Sequence, residues 1–101
     1  MKIGFSRAET HRLMGELLLK QDDFNVAEAQ SRFERAVQIA RKQSAKSFEL
    51  RATTSLARLL AKQRRRDEAR AMLADVYNWF KEGFHTADLI DAKALLDQLA
   101  D

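Results

Sequence analysis

At 101 residues, with 18 Lys and Arg against 15 Asp and Glu, the chain has the length of one domain and a formal charge of +3. It has no cysteine, which excludes thiol catalysis, iron–sulfur clusters and Cys-ligated zinc. A chain that is 46% apolar and 33% charged is neither disordered nor membrane-embedded, so no membrane partner is expected, and an isoelectric point near 9.5 bears on solubility more than it identifies a partner.

The elements in chain order are all helical. Ser6-Arg7-Ala8-Glu9 reads as a capping box, with Ser6 accepting from the Glu9 amide and Glu9 reaching back. The apolar positions Leu13, Leu17 and Leu18 follow it, which predicts a first helix over 6–20. Gln21-Asp22-Asp23 interrupts the pattern. Asn25, with Glu28 three residues on, restarts it, and Ala29, Phe33, Ala36, Val37 and Ala40 share one face of a second helix over 25–43. Phe48, Ala52, Leu56, Leu59 and Leu60 mark a third over 46–62. Asp67 is placed to cap a fourth, whose buried stripe is Ala69, Met72, Leu73, Val76 and Phe80 and whose stop is Gly83. Thr86 is placed to cap a fifth over 87–100, with Asp88 in its first turn and Leu89, Leu96 and Leu99 on its core edge. Short connections make sequential neighbours antiparallel.

The helices repeat. Ala29, Phe33 and Ala36 recur forty residues on as Ala69, Leu73 and Val76, and Met14-Gly15 corresponds to Leu56-Ala57. This small–large–small spacing resembles the tetratricopeptide repeat, with Gly15 and Ala57 at the small position of helix A, Leu18 and Leu60 at the large one, and Ala29 and Ala69 at the first alanine of helix B. His11 and Thr53 stand where that family carries Trp, Arg64 where it carries a turn glycine, and the closing Pro is missing. The resemblance implies an all-α superhelix in one domain: hairpins over 6–43 and 46–82, then a capping helix over 87–100.

A second resemblance is carried by "GELLL", "KSFELRATTSLARLLAKQRRRDEARAML" and "VYNWFKEGFHTADLIDAKALLDQLA". These strings are similar to the C-terminal tetratricopeptide-like ends of large bacterial signalling proteins, which join an AAA-like or STAND-type ATPase to a class III adenylate/guanylate cyclase or a DNA-binding regulator domain. It implies a non-catalytic scaffold for protein–protein contacts, with the output encoded elsewhere.

Arg64-Arg65-Arg66 falls between the third and fourth helices, where Asp67 and Glu68 offset part of its charge, and reads as a solvated turn rather than a nucleic-acid surface. On the third helix Arg51, Thr54, Arg58 and Lys62 recur at three- and four-residue steps, and the resemblance puts them on the concave face. The matching face of the first helix carries Glu9, Arg12, Glu16 and Lys20. Two readings stand side by side: Glu9 and Glu16 pair with Arg51 and Arg58, or the basic stripe takes an acidic peptide or protein. The Lys/Asn carboxylate clamp of chaperone-binding relatives is not reproduced.

Other residues carry no chemistry. His11 and His85 have no ligand-like neighbours, so no metal or cofactor is expected. Tyr77, Trp79, Phe80 and Phe84 read as packing against the last helix, and Ser44, Ser47 and Ser55 have no His/Asp partners, so no enzymatic activity is expected. Met1 to Phe5 lacks the apolar stretch of a secretory signal, which makes the cytoplasm the expected compartment. The second function class is a small basic nucleic-acid-associated protein. Leu17, Leu18 and Leu19 sweep about 200° of a helix and cannot all face one neighbour. They point to a homodimer through the first two helices, unless Met1 to Phe5 folds back over them.

Overall fold

The computed structural model describes residues 6–21 and 25–100, which form five helices and no strand. They are α1 (Arg7–Gln21), α2 (Val26–Lys42), α3 (Lys46–Lys62), α4 (Arg66–Tyr77) and α5 (Ala87–Leu99). Each packs on the next in sequence, and α3 also touches α1 and α5. The molecule is 20 Å in its thinnest direction, about two helix diameters, so α1, α3 and α5 make one layer and α2 and α4 the other. Among the described residues no helix is long and apolar enough to cross a membrane.

The third helix is the hub. It meets every other helix, and of its seventeen residues ten are buried, including Leu50, Ala52, Leu56, Ala57, Leu59 and Leu60. The second-helix stripe expected from sequence is buried throughout, as are Ala69, Leu73 and Val76 on α4 and Leu89, Ala92, Leu95 and Leu99 on α5. Phe48, Met72, Phe80 and Leu96 pack at the edges of these clusters, partly exposed.

The chain turns the same way twice. After α2, the Ser44 amide donates to the Arg41 carbonyl and the Ala45 amide to the Ala40 carbonyl; after α3, Arg64 and Arg65 donate likewise to Ala61 and Leu60. Ser44 and Arg64 sit at φ 54° and 64°, the left-handed conformation that such a helix stop requires and that glycine usually supplies. With these turns α2, α3 and α4 start at 26, 46 and 66, twenty residues apart. Phe33, Thr53 and Leu73 therefore lie at mid-helix in successive antiparallel helices, and all three are fully buried.

Thr53 is the polar member of that row, and its Oγ1 has no hydrogen-bond partner among the described residues. A buried hydroxyl without a partner costs roughly 1–3 kcal/mol. Thr53→Val should therefore raise stability by about 1 kcal/mol, read as a higher urea midpoint at unchanged slope. An unchanged or lower midpoint would show that the hydroxyl is satisfied in solution.

Several local expectations are corrected. The fourth helix ends at Tyr77, well before Gly83, because Trp79 and Phe80 donate three residues back to Val76 and Tyr77 and tighten the chain out of the helix. Gly83, at φ +78°, instead opens the turn into α5, its carbonyl accepting from the Thr86 amide. Arg65 occupies the N-cap position of the fourth helix without a side-chain cap bond, and Asp67 lies inside the first turn. Ser6 Oγ accepts from the Ala8 and Glu9 amides at 3.1 and 3.4 Å, but the Glu9 carboxylate turns to Arg12 instead of closing the capping box. Asn25 makes no cap bond; its amide nitrogen donates to the Leu18 carbonyl at 3.4 Å. Thr86 precedes α5 in extended conformation without a side-chain cap bond. Of the apolar positions of the first helix, Leu13 and Leu17 are exposed while Leu18 and Leu19 pack partly buried on the core, so the three successive leucines do not share one neighbour, and the residues that helix buries fully are Ala8 and Gly15. Asp22-Asp23 and the fold-back of Met1 to Phe5 lie outside the described residues.

Candidate functional site: a charged face along the middle helix

On the side where α1, α3 and α5 line up, α3 presents Arg51, Ser55, Arg58 and Lys62, α1 presents Glu9, Arg12 and Glu16, and α5 presents Asp88 and Asp91. Arg51 is the centre of this network. One guanidinium nitrogen meets Glu9 at 2.9 Å and another meets Asp88 at 2.8 Å, so one side chain ties three helices. Its two carboxylates raise the Arg51 pKa further above its usual range, the Asp88 hydrogen bonds being the largest cause. Glu9 also takes a two-pronged contact from Arg12 at 2.8 and 2.9 Å.

The pairing expected of Glu9 and Arg51 is present; that of Glu16 and Arg58 is not. Arg58 reaches the other way, to both oxygens of Asp91 at 3.1 Å. Glu16 accepts from Ser55 Oγ at 3.0 Å and lies 3.6 Å from Arg12. Thr54 does not belong to this face: it is buried, and its hydroxyl donates to the Leu50 carbonyl at 2.8 Å. A four-then-three step from Arg51 reaches Arg58 through Ser55 as readily as a three-then-four step does through Thr54, and only packing decides between them.

Two clefts flank the end of the stripe, and Arg58 and Lys62 line both. The larger, about 550 Å³, opens between α3 and α5; Arg58, Lys62, Arg64 and Arg66 surround an apolar floor of Ala61, Leu95 and Leu99. The smaller, about 250 Å³, lies on the α1 side over Leu19, Val26 and Leu59. Among the described residues Lys62 and Arg64 have no carboxylate partner, while Arg66 donates to the Gln98 carbonyl at 2.8 Å. The arginine triplet is thus divided. All three are exposed, as a solvated turn requires, and Arg65 pairs with Glu68 at 2.7 Å, whereas Arg64 and Arg66 also line the larger cleft, which linear reading did not reveal. The one signal for it was Lys62 ending a helix just ahead of three arginines.

The remaining candidates lie apart from this face. His11 Nδ1 accepts from Arg32 at 3.1 Å, joining α1 to α2, and His85 is exposed. Among the described residues no cluster of His, Asp and Glu could hold a metal. Tyr77 and Phe80 pack on the core, but Trp79 and Phe84 are exposed; Trp79 stands edge-on to Phe80, with the Lys46 ammonium 5.5 Å from its ring. Nearby, buried Glu49 accepts from Arg41 at 2.9 Å and Lys46 at 3.1 Å.

Two groups on α1 make the fold acid-sensitive. Burial, then the charges of Arg32, Arg35 and Arg7, lower the His11 pKa below 6.5, so the folded state disfavours the protonated ring. Hydrogen bonds from Arg12 and Arg51 lower that of Glu9 below 4.5 against its partial burial. In each case the unfolded chain binds the proton more readily, so stability falls with pH. The melting temperature should therefore decline in two stages, one setting in below about pH 6.5 and the other below about pH 4.5. His11→Gln should flatten only the first stage; a profile identical to the parent's would remove His11 from the account.

No family model, no curated protein and no solved structure matches the chain.

Proposed function

We propose that the chain is a non-catalytic protein-interaction scaffold of tetratricopeptide-like hairpins, and that it holds an acidic, partly apolar segment of a protein partner in the cleft between α3 and α5. The observation that carries this is the cleft itself, where Arg58, Lys62, Arg64 and Arg66 ring a floor of Ala61, Leu95 and Leu99. Such a site matches a strand or helix bearing Asp or Glu beside Leu. Arg51, bound by Glu9 and Asp88, is a clamp within the fold and Thr54 is buried, so of the four stripe residues the contact falls to Lys62 and to Arg58, whose pair with Asp91 is exposed and lies at the cleft. The repeat of Ala29, Phe33 and Ala36 as Ala69, Leu73 and Val76, all buried, supports the hairpin reading. The likeness of the "LRATTSLARL" and "WFKEGFHTADL" stretches to the ends of bacterial ATPase–cyclase and regulator proteins supports a scaffold whose output lies in other domains, working in the cytoplasm.

The test is fluorescence anisotropy with a short labelled peptide of Leu, Glu and Asp. Combined R58E and K62E should weaken binding more than tenfold at low salt with helicity unchanged, because charges facing a partner govern complementarity and steering. Equal binding by parent and variant would reject the cleft. Tighter, saturable binding of an oligonucleotide, falling steeply with salt, would replace the protein partner with a nucleic acid.

A further inference from the structure

Among the described residues, no helix packs on the exposed side of α1. Its exposed positions are Arg7, Thr10, Leu13, Met14, Leu17, Lys20 and Gln21, a continuous stripe, apolar in the middle and polar at both ends. Leu13, Met14 and Leu17 are 42%, 39% and 58% exposed. Since Met14-Gly15 corresponds to Leu56-Ala57, the counterparts of Met14 and Leu17 on α3 are Leu56 and Leu59, each 4% exposed in the core that α3 shares with α2. What the preceding helix does for α3, no described element does for α1.

We infer that this stripe is the contact between two copies of the chain, with α1 lying antiparallel to its mate across a two-fold axis near Gly15. The two ends of the helix stack select this arrangement. On α5, at the other end, exposed Ile90 has only the small side chains of Ala87 and Ala94 beside it, with Asp91 and the Lys93–Asp97 ion pair on the same exposed side, so head-to-tail stacking would set the α1 leucines partly against charge. A two-fold sets them against themselves. In an antiparallel pair centred on residue 15, Leu13 of each copy faces Leu17 of the other, and polar Thr10 faces Lys20. The parallel arrangement would stack Arg7 on Arg7 and Lys20 on Lys20. Three apolar side chains per copy make a small contact, so the dimer is a weak one. It uses the opposite end of the molecule from the α3–α5 cleft and stands whether or not that cleft binds a peptide.

The absence of cysteine makes disulfide trapping clean. Near the axis, Met14 and its mate are ~3 Å apart along the helices, whereas Thr10 and its mate are ~15 Å apart. Under mild oxidation Met14→Cys should form a covalent dimer at least tenfold faster than Thr10→Cys, and sedimentation equilibrium of the parent should show mass rising above the monomer value at the highest concentrations. Leu17→Glu should abolish that rise with helical content retained. Equal trapping rates at both positions, whether fast or negligible, overturn the antiparallel two-fold. A parent mass that stays monomeric throughout overturns the dimer and leaves the chain's own residues 1–5, or another protein's helix, as the cover. If Leu17→Glu unfolds, the two cysteine rates still decide.

Discussion

Cutting Phe33 back to alanine should destabilise the fold by about 3–5 kcal/mol, a large part of the stability available to a domain of this size. The ring is fully buried in the main core, so truncation removes its contacts and leaves a void that the rigid neighbours fill only in part. At ~4–8 °C per kcal/mol, the melting temperature should fall by more than ~12 °C. The companion change is Gly15→Ala. A Cβ on Gly15 would stand 2.6 Å from Phe33 Cε1 and 2.8 Å from Cδ1, too close for a ring that has nowhere to move. Alanine gains ~1 kcal/mol of helix propensity over glycine, and overpacking costs ~1–3 kcal/mol, so a net loss of about 1 kcal/mol is expected. Phe33→Leu in the same chain should remove most of the Gly15→Ala penalty, because the two residues share one contact. Additive losses in that cycle would show that Gly15 is not small on account of Phe33.

Arg51→Met should cost about 2 kcal/mol. The substitution keeps an apolar stem of similar length and removes the head that joins Glu9 of α1 to Asp88 of α5. Glu9 keeps Arg12, while Asp88 is left with no other salt bridge among the described residues. Hydrogen bonds to charged groups contribute ~1.5–3 kcal/mol each, and with the Arg51 side chain 37% exposed, screening trims the two-partner total. Chemical denaturation with urea, which adds no ions, measures it, and the loss should shrink as salt is raised. Since among the described helices α5 packs only on α3 and α4, its amides should exchange with solvent faster in the variant while those of α2 do not. An α5 as protected as before would show that Leu89, Ala92, Leu95 and Leu99 hold that helix without the arginine.

The helices themselves were legible because each face is decided by short-range periodicity. Ala29, Phe33, Ala36, Val37 and Ala40 fall on one side of a helix in any register, and all are buried. The end of α4 was not legible: Tyr77, Asn78, Trp79 and Phe80 all tolerate helix, and the chain leaves it there through two backbone bonds no composition announces. Gly83 gave the true signal of a positive φ and a false one of a helix end. The candidate face was half legible. Arg51 with Glu9 follows from matching stripes on adjacent helices, but Arg58 had a choice of carboxylates on either side and took Asp91 of α5 over Glu16. Leu13 and Leu17 look like core residues by spacing alone, since periodicity finds an apolar face and does not say whether anything covers it.

The left-handed turns at Ser44 and Arg64 set a rule for how such a chain can lengthen. Each reversal sends the next helix to the other layer, so an inserted unit of twenty residues would carry every following helix across and turn its buried side outward. A unit of forty restores both direction and layer. Duplications or deletions tolerated by this architecture must therefore come as helix pairs, and single helices can be gained or lost only at the ends.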